Sequence, residues 1–333
     1  MKTTIGITIG DPAGIGPEVI LKTLSSGQLP ADLEIILFSN VLVLKDQAVY
    51  LDLALDIEQK QHELDVVIAH RTFRIIDPTN WGDRMIFPGK PDSQLATGIL
   101  SCLDTAVRWT LDGKIQGIVT APLSKEVIRN GGYPDFTGHT EYLGKLTGRK
   151  HPVMMLMSPR LKVVLATTHV PFQSIPTLLN QDLLVETLQI VHDWFTTFLG
   201  CRPKIAMAAP NPHAGEGGTI GKEEKTVLLP AVTTAKEKGI SVSGPYPADT
   251  IFQRSIKGEF DVVLALYHDQ GMVPVKLDAT CSAVNITLGL PLIRTSPDHG
   301  TAFDLAGKGQ ANHTSFYQAL VSAFQLARSQ QKH

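Results

Sequence analysis

Three histidines each stand just past an apolar run of strand-forming residues. The run 161–168 ends at His169, followed by Val170 and Pro171. The run 205–209 leads to His213, inside Asn-Pro-His-Ala-Gly-Glu-Gly-Gly at 211–218. The run 261–266 leads to Tyr267, His268, Asp269, Gln270 and Gly271. Neutral imidazole is the commonest metal-ligating side chain, and three of them leave a position open for substrate or water. One histidine alone is more often a surface or core residue; three at equivalent places put a shared site on even terms with that reading. Their spacing fits no local zinc motif, so only the fold can bring them together. The glycines around His213 suit a turn that approaches a ligand closely, or an ordinary surface loop.

A second group suits anions. In FTGHTEYL, residues 136–143, Thr137 or His139 fits as a helix cap, with Glu141 in the first turn. The same helix start would hold a phosphate, with His139 and Thr140 as donors. Lys276 follows the turn after 261–266, and Arg294 interrupts an apolar, strand-like run. A buried arginine needs an anion, which a bound phosphate, a bound carboxylate or an internal salt bridge would supply. GDPAGIGPE, residues 10–18, spaces Gly10, Gly14 and Gly16 as GxxxGxG. That is neither the dinucleotide fingerprint nor a P-loop. It reads as a tight strand-to-helix turn, with Pro17 and Glu18 in the first helical turn and no direct cofactor role.

The elements that must position these residues alternate between strand and helix. Strands are expected at 4–9, 33–38, 115–120, 153–157, 161–167, 205–209 and 261–266. Helices are expected at 93–111, 182–198, 222–238 and 315–328. In the first of these, Leu95, Ile99, Leu103, Ala106 and Val107 share a face. The rhythm means an α/β protein with a largely parallel, covered sheet, where ligands gather beyond the carboxyl ends of the strands. The expected division is a middle domain, 138–298, inserted between 1–137 and 299–333.

The 333 residues suffice for two cores. A formal net charge of −2 gives no basic surface for nucleic acid. Cys102, Cys201 and Cys281 lie far apart without CxxC spacing, which argues against a disulfide framework or zinc knuckle; Cys102 reads as core. No apolar run approaches the roughly 18 residues of a membrane span, and Asp11 comes too early for a signal peptide. A soluble cytoplasmic protein is the expectation.

The motifs also occur together in one order: GDPAGIGPE, TAPLSKE, FTGHTEYL, TTHVP, NPHAGEGG, GPYPADT, YHDQG and VNITLGLPLIRTSPDHGTAFDLAG. With these the chain resembles, nearly end to end, the PdxA family of 4-hydroxythreonine-4-phosphate dehydrogenases of pyridoxal phosphate biosynthesis. The tail HGTAFDLAGKGQAN, residues 299–312, is similar to the nicotinamide-cofactor loop of isopropylmalate and isocitrate dehydrogenases. The resemblance implies the two-domain α/β/α fold of those enzymes rather than a Rossmann domain. It implies a homodimer with active sites shared between subunits. Its cofactors would be NAD, with NADP as the alternative, and a divalent metal: zinc, magnesium or cobalt.

By the same resemblance His169, His213 and His268 are metal ligands, with His268 reaching the partner subunit's metal. His139, Thr140, Lys276, Asn285 and Arg294 bind substrate. Gly289, His299, Gly300, Thr301, Ala302, Asp304 and Asn312 bind the cofactor along 298–304 and near 312. The base is unassigned, with Asp249, Asp269 and Lys276 as candidates. The implied reaction oxidises 4-phosphohydroxy-L-threonine at C3 to 2-amino-3-oxo-4-phosphooxybutanoate, which decarboxylates to 3-amino-2-oxopropyl phosphate. Relatives that oxidise D-threonate or D-erythronate 4-phosphate keep the same machinery. They often carry histidine where this chain has Met272, which favours the amino-acid substrate. A zinc hydrolase of phosphorylated metabolites and a non-catalytic metabolite sensor are the readings from other classes; the 299–304 loop favours the dehydrogenase.

Overall fold

The computed structural model describes residues 2–60, 63–279 and 282–331, so Cys281 lies outside the described residues. The strands are β1 Thr3–Thr8, β2 Leu33–Phe38, β3 Leu55–Lys60, β4 Glu63–Ile68, β5 Arg71–Ile76, β6 Gly117–Thr120, β7 Val153–Met157, β8 Lys162–Leu165, β9 Ile205–Ala208, β10 Val242–Tyr246, β11 Val262–Ala265, β12 Val284–Leu288 and β13 Ile293–Pro297. The chain divides into two compact units, one of Met1–Lys150 with Leu290–Arg328 and one of His151–Gly289 with Ser329–His333. This division keeps His139, Thr140 and Arg294 in the first unit, where the sequence suggested the second. The reason is packing: Tyr142, on the helix His139–Leu146, lies against the core around Leu95, Ile99 and Phe136. Arg294 lies on β13, which pairs with β6.

In the first unit the strands run β13-β6-β1-β2-β5-β4-β3. β13, β6, β1, β2 and β5 are parallel, and β4 and β3 close the edge as antiparallel neighbours. The β3–β5 stretch was not anticipated. β1 therefore lies between β2 and β6, the point where a doubly wound sheet reverses direction and opens a crevice for ligands. This is still not a Rossmann domain. The fingerprint is missing, and β13 enters only after the whole second unit has been inserted.

The helix Ala96–Leu111 buries Ile99, Leu103, Ala106 and Val107 as their spacing predicts, and Cys102 is core. Its expected first turn, Ser93–Leu95, is a 3-10 turn capped by Asp92. Burying each such aliphatic side chain contributes roughly 1.5–3 kcal/mol.

In the second unit the order is β10-β9-β11-β8-β7-β12. β10, β9, β11 and β8 are parallel, while β7 pairs antiparallel with both β8 and β12. The helix Gln181–Leu199 starts at Asn180, whose side chain accepts from the Leu183 amide, and stops at left-handed Gly200. Among the described residues no helix is long and apolar enough to cross a membrane.

Candidate active site

The three histidines leave neighbouring strands. β9, β11 and β8 are consecutive and parallel, and His213, His268 and His169 follow their carboxyl ends in that order. His268 does not sit in a turn, as its Gly-rich surroundings suggest; it opens the helix His268–Ala279. Gly271 permits this, because a Cβ there would come within 2.5 Å of Leu165 and 2.8 Å of Val163 on β8.

The rings of His169 and His268 lie 5.5 Å apart, centroid to centroid. Nδ1 of His268 is 2.6 Å from Oδ1 of Asp269. A carboxylate on Nδ1 fixes the tautomer and leaves Nε2 as the ligating nitrogen, the arrangement common in metal sites. Asp269, one of the candidate bases, is thus engaged as an orienting group. His213 does not complete a group: among the described residues no three His, Cys, Asp or Glu side chains are placed to hold a metal ion.

The segment carrying His213 has an unusual backbone. His213, Ala214, Gly215, Glu216 and Gly217 all have positive φ, from 43° to 76°. Each non-glycine residue in this region costs roughly 1–2 kcal/mol. The glycines were legible as a turn; a left-handed run through His213, Ala214 and Glu216 was not. Strain of this kind gathers at ligand sites, where the surroundings enforce it.

In the same unit, Asn285 on β12 has a buried Oδ1 with no hydrogen-bond partner among the described residues. Lys276 is exposed on the helix begun by His268, and Asp249 is exposed in the first turn of Ala248–Ile256. Gly289, at φ 81°, faces the carbonyl of His151 and the side chain of Ile190, which is a packing role.

In the first unit the helix His139–Leu146 starts at Gly138, with φ 151° and no side-chain cap. Neither Thr137 nor His139 caps it. Glycine alone tolerates that φ, and the first amides are left for another acceptor. Lys125 lies beside this start: a Cβ on Gly138 would be 3.6 Å from its Nζ. Sequence reading missed Lys125, because its helix is six residues long and has little periodicity. Burial, with the Arg294 and Lys125 charges, holds His139 well below the usual imidazole range, so it is neutral. Arg294 is 2% exposed. Its Nε and Nη2 donate to the Thr120 hydroxyl at 3.1 and 2.8 Å. Burial pushes it down to about 10, with Glu141 acting in the opposite sense.

The segment 299–312 rests on the first turn of the chain. The Ile15 amide donates to the Thr301 carbonyl at 2.9 Å. A Cβ on Gly14 would meet that carbonyl at 2.9 Å. Glu18 Oε1 accepts from the Ala311 amide at 2.7 Å, and Lys22 donates to the Gly309 and Ala311 carbonyls. GDPAGIGPE therefore supports the loop.

On the loop, Ala302 has φ 39°, and a Cβ on Gly300 would meet open space. Nδ1 of His299 lies 3.1 Å from the Gly300 carbonyl, and its buried Nε2 has no partner among the described residues. Burial holds His299 below the usual imidazole range. Asp304 is exposed, and the Asn312 side chain accepts from the Thr314 amide where the last helix begins.

The PdxA profile, described as "Pyridoxal phosphate biosynthetic protein PdxA", matches residues 32–323. The chain belongs to the PdxA family. It is 38% identical over 328 residues to D-threonate 4-phosphate dehydrogenase of Pectobacterium atrosepticum, covering 98% of this chain and 100% of the relative. It is 40% identical over 338 residues to 4-hydroxythreonine-4-phosphate dehydrogenase of Cupriavidus pinatubonensis, covering 97% and 94%. A crystal structure of 4-hydroxythreonine-4-phosphate dehydrogenase from Klebsiella pneumoniae is similar at 36% identity and TM-score 0.87, covering 98% of this chain and 100% of that one. Met272, the position expected to lean toward one substrate, is buried among Val163, Leu165 and Ala265. It packs the core, so its identity says little about substrate.

Proposed function

We propose that this protein is an NAD-dependent dehydrogenase that oxidises the C3 hydroxyl of 4-phosphohydroxy-L-threonine, with loss of carbon dioxide from the resulting β-keto acid to leave 3-amino-2-oxopropyl phosphate. Family membership over 32–323, joined to three histidines at the ends of three adjacent parallel strands, carries the reading. D-Threonate 4-phosphate is the second reading, favoured by the 38% identity to a relative of that name. The two substrates share the phosphate and the secondary alcohol.

The donor chemistry fits a divalent metal: two imidazoles at 5.5 Å, one oriented through its Nδ1, and a third on a strained turn. When bound, NAD supplies a hydride acceptor for C3 and the metal supplies positive charge for the hydroxyl oxygen as its proton leaves. Arg294, Lys125 and the uncapped helix start would hold an anionic end of the substrate, with neutral His139 and Thr140 as hydrogen-bond partners. Gly300, over which there is open space, gives the cofactor room along 298–304. Asp249 and Lys276 are the groups left to take the hydroxyl proton.

The protein would work as a homodimer. One of the three ligands would come across the dimer: His268, as the family resemblance suggests, or His213, if His169 and His268, whose rings lie 5.5 Å apart in one chain, serve the same ion. Phe172 at 75% exposure and Leu277 at 78% lie on the segments that carry His169 and His268, apolar surface suited to a second copy.

One assay tests the whole reading. NADH formation is measured with 4-phosphohydroxy-L-threonine, D-threonate 4-phosphate and D-erythronate 4-phosphate, with and without chelator. The first substrate is expected to turn over fastest, and chelator is expected to abolish turnover. Phosphate release without NADH would point to a hydrolase instead. Arg294→Met is expected to weaken the phosphorylated substrate by about ten- to a hundredfold, because a charge-assisted contact contributes roughly 1.5–3 kcal/mol. Unchanged affinity with a lowered unfolding midpoint would make Arg294 a structural cation only.

A further inference from the structure

The left-handed run that presents His213 is braced from one side by a single buried carboxylate. Glu224 is 4% exposed. Its Oε1 accepts from the Asn211 amide at 3.1 Å, and its Oε2 accepts from Asn211 Nδ2 at 3.0 Å. Nδ2 also donates to Glu223 Oε2 at 2.7 Å, and Glu223 accepts from the Lys222 amide at 2.9 Å. The middle of the run meets the same carboxylate: a Cβ on Gly215 would stand 2.6 Å from Glu224 Oε2. A Cβ on Gly221 would stand 2.3 Å from Asn211 Nδ2. Asn211, before His213, and Gly215, within the run, therefore close on one carboxylate, and Gly221 closes on Asn211.

Glu224 begins Glu224–Leu228, a π-helical turn where the sequence pattern predicts plain α-helix. π-Turns are rare and gather at functional sites. Glu223, the residue before this turn, and Glu224, its first residue, both accept from one asparagine.

We infer that Glu224 is a positioning residue for His213: its carboxylate and Asn211 hold the left-handed turn in the one conformation that offers the imidazole to a metal. This rests on His213 being a metal ligand. Groups behind metal ligands typically cost ten- to a hundredfold in affinity when removed.

The experiment uses the full-length protein, stripped with chelator and titrated with Zn²⁺ by calorimetry, together with amide hydrogen exchange over 211–218. Glu224→Gln keeps the shape but sets an amide N–H against one of the two asparagine donors. It is expected to bind Zn²⁺ roughly ten- to a hundredfold more weakly and to speed exchange at 213–217, while amides of β9 and β11 exchange as in the wild type. Gly215→Ala, which pushes on the brace without removing it, is expected to act in the same direction and serves if Glu224→Gln fails to fold. His213→Ala is the control. If it loses Zn²⁺ while Glu224→Gln binds as the wild type does, the metal reading stands and the brace is overturned. If His213→Ala binds Zn²⁺ normally, the metal reading falls and this inference falls with it.

Discussion

Two inactive variants, His213→Ala and His268→Ala, are expected to regain up to about a quarter of wild-type activity when unfolded together and refolded. Random pairing makes about half of the dimers mixed, and each mixed dimer would own one complete site and one lacking two ligands. The informative contrast is His169→Ala with His268→Ala. Their rings lie 5.5 Å apart in one chain. If both serve the same site, every mixed dimer has one ligand missing from each site, and nothing is restored. Should the second pair recover activity while the first also does, His268 crosses to the partner and His213 stays at home. Recovery by neither pair, with mixed dimers demonstrated by mass, would mean that one chain supplies all three ligands. Metal affinity should also depend on protein concentration, since dilution to monomers leaves each site with two imidazoles.

That contrast could not have been posed from the sequence. Strand ends were legible because β8, β9 and β11 are short apolar runs followed at once by polar residues. Strand order was not, since pairing of β9 with β11 and of β11 with β8 joins residues far apart in the chain. The sequence also misleads at 267–276. Gly271 and Pro274 look like turn residues, yet Gly271 is there so that a helix can lie against β8. The antiparallel edge β3–β4–β5 carries a period-two signal in Leu55 and Ile57, then Leu64, Val66 and Ile68. The charged residues between them make it easy to pass over. Around Arg294 the difficulty was different. A cation in an apolar strand announces itself, but its neighbours Thr120, His139 and Lys125 come from two other segments.

Asp11 was passed over as part of a turn, and it gives a large expected pH effect. It is fully buried at the reversal point between β1 and β6. Its Oδ1 accepts from the Ala13 amide at 3.1 Å, and its Oδ2 has no partner among the described residues. Burial, with a smaller push from Asp92, raises it from 3.8 to about 6 against the pull of the Ala13 and Ser124 amides. The folded protein therefore holds this proton where the unfolded chain has lost it. Stability from this group is complete below about pH 4 and is lost as pH rises through about 6, an effect of about 3 kcal/mol at 1.36 kcal/mol per pH unit. Asp11→Asn cannot ionise and keeps an oxygen for the Ala13 amide. At pH 8 it is expected to unfold at higher urea than the wild type, and at pH 4 at the same urea. The other carboxylates are common to both proteins, so the difference between the two curves reports on Asp11 together with its smaller coupling to Asp92. Parallel curves from pH 4 to pH 8 would mean that its carboxyl ionises as it does in the unfolded chain. A carboxylate forced to ionise in a dry turn strains the segment that holds Thr301 through Ile15. The same substitution should therefore tighten NAD binding at pH 8 and leave it unchanged below pH 5, where the aspartate is already neutral.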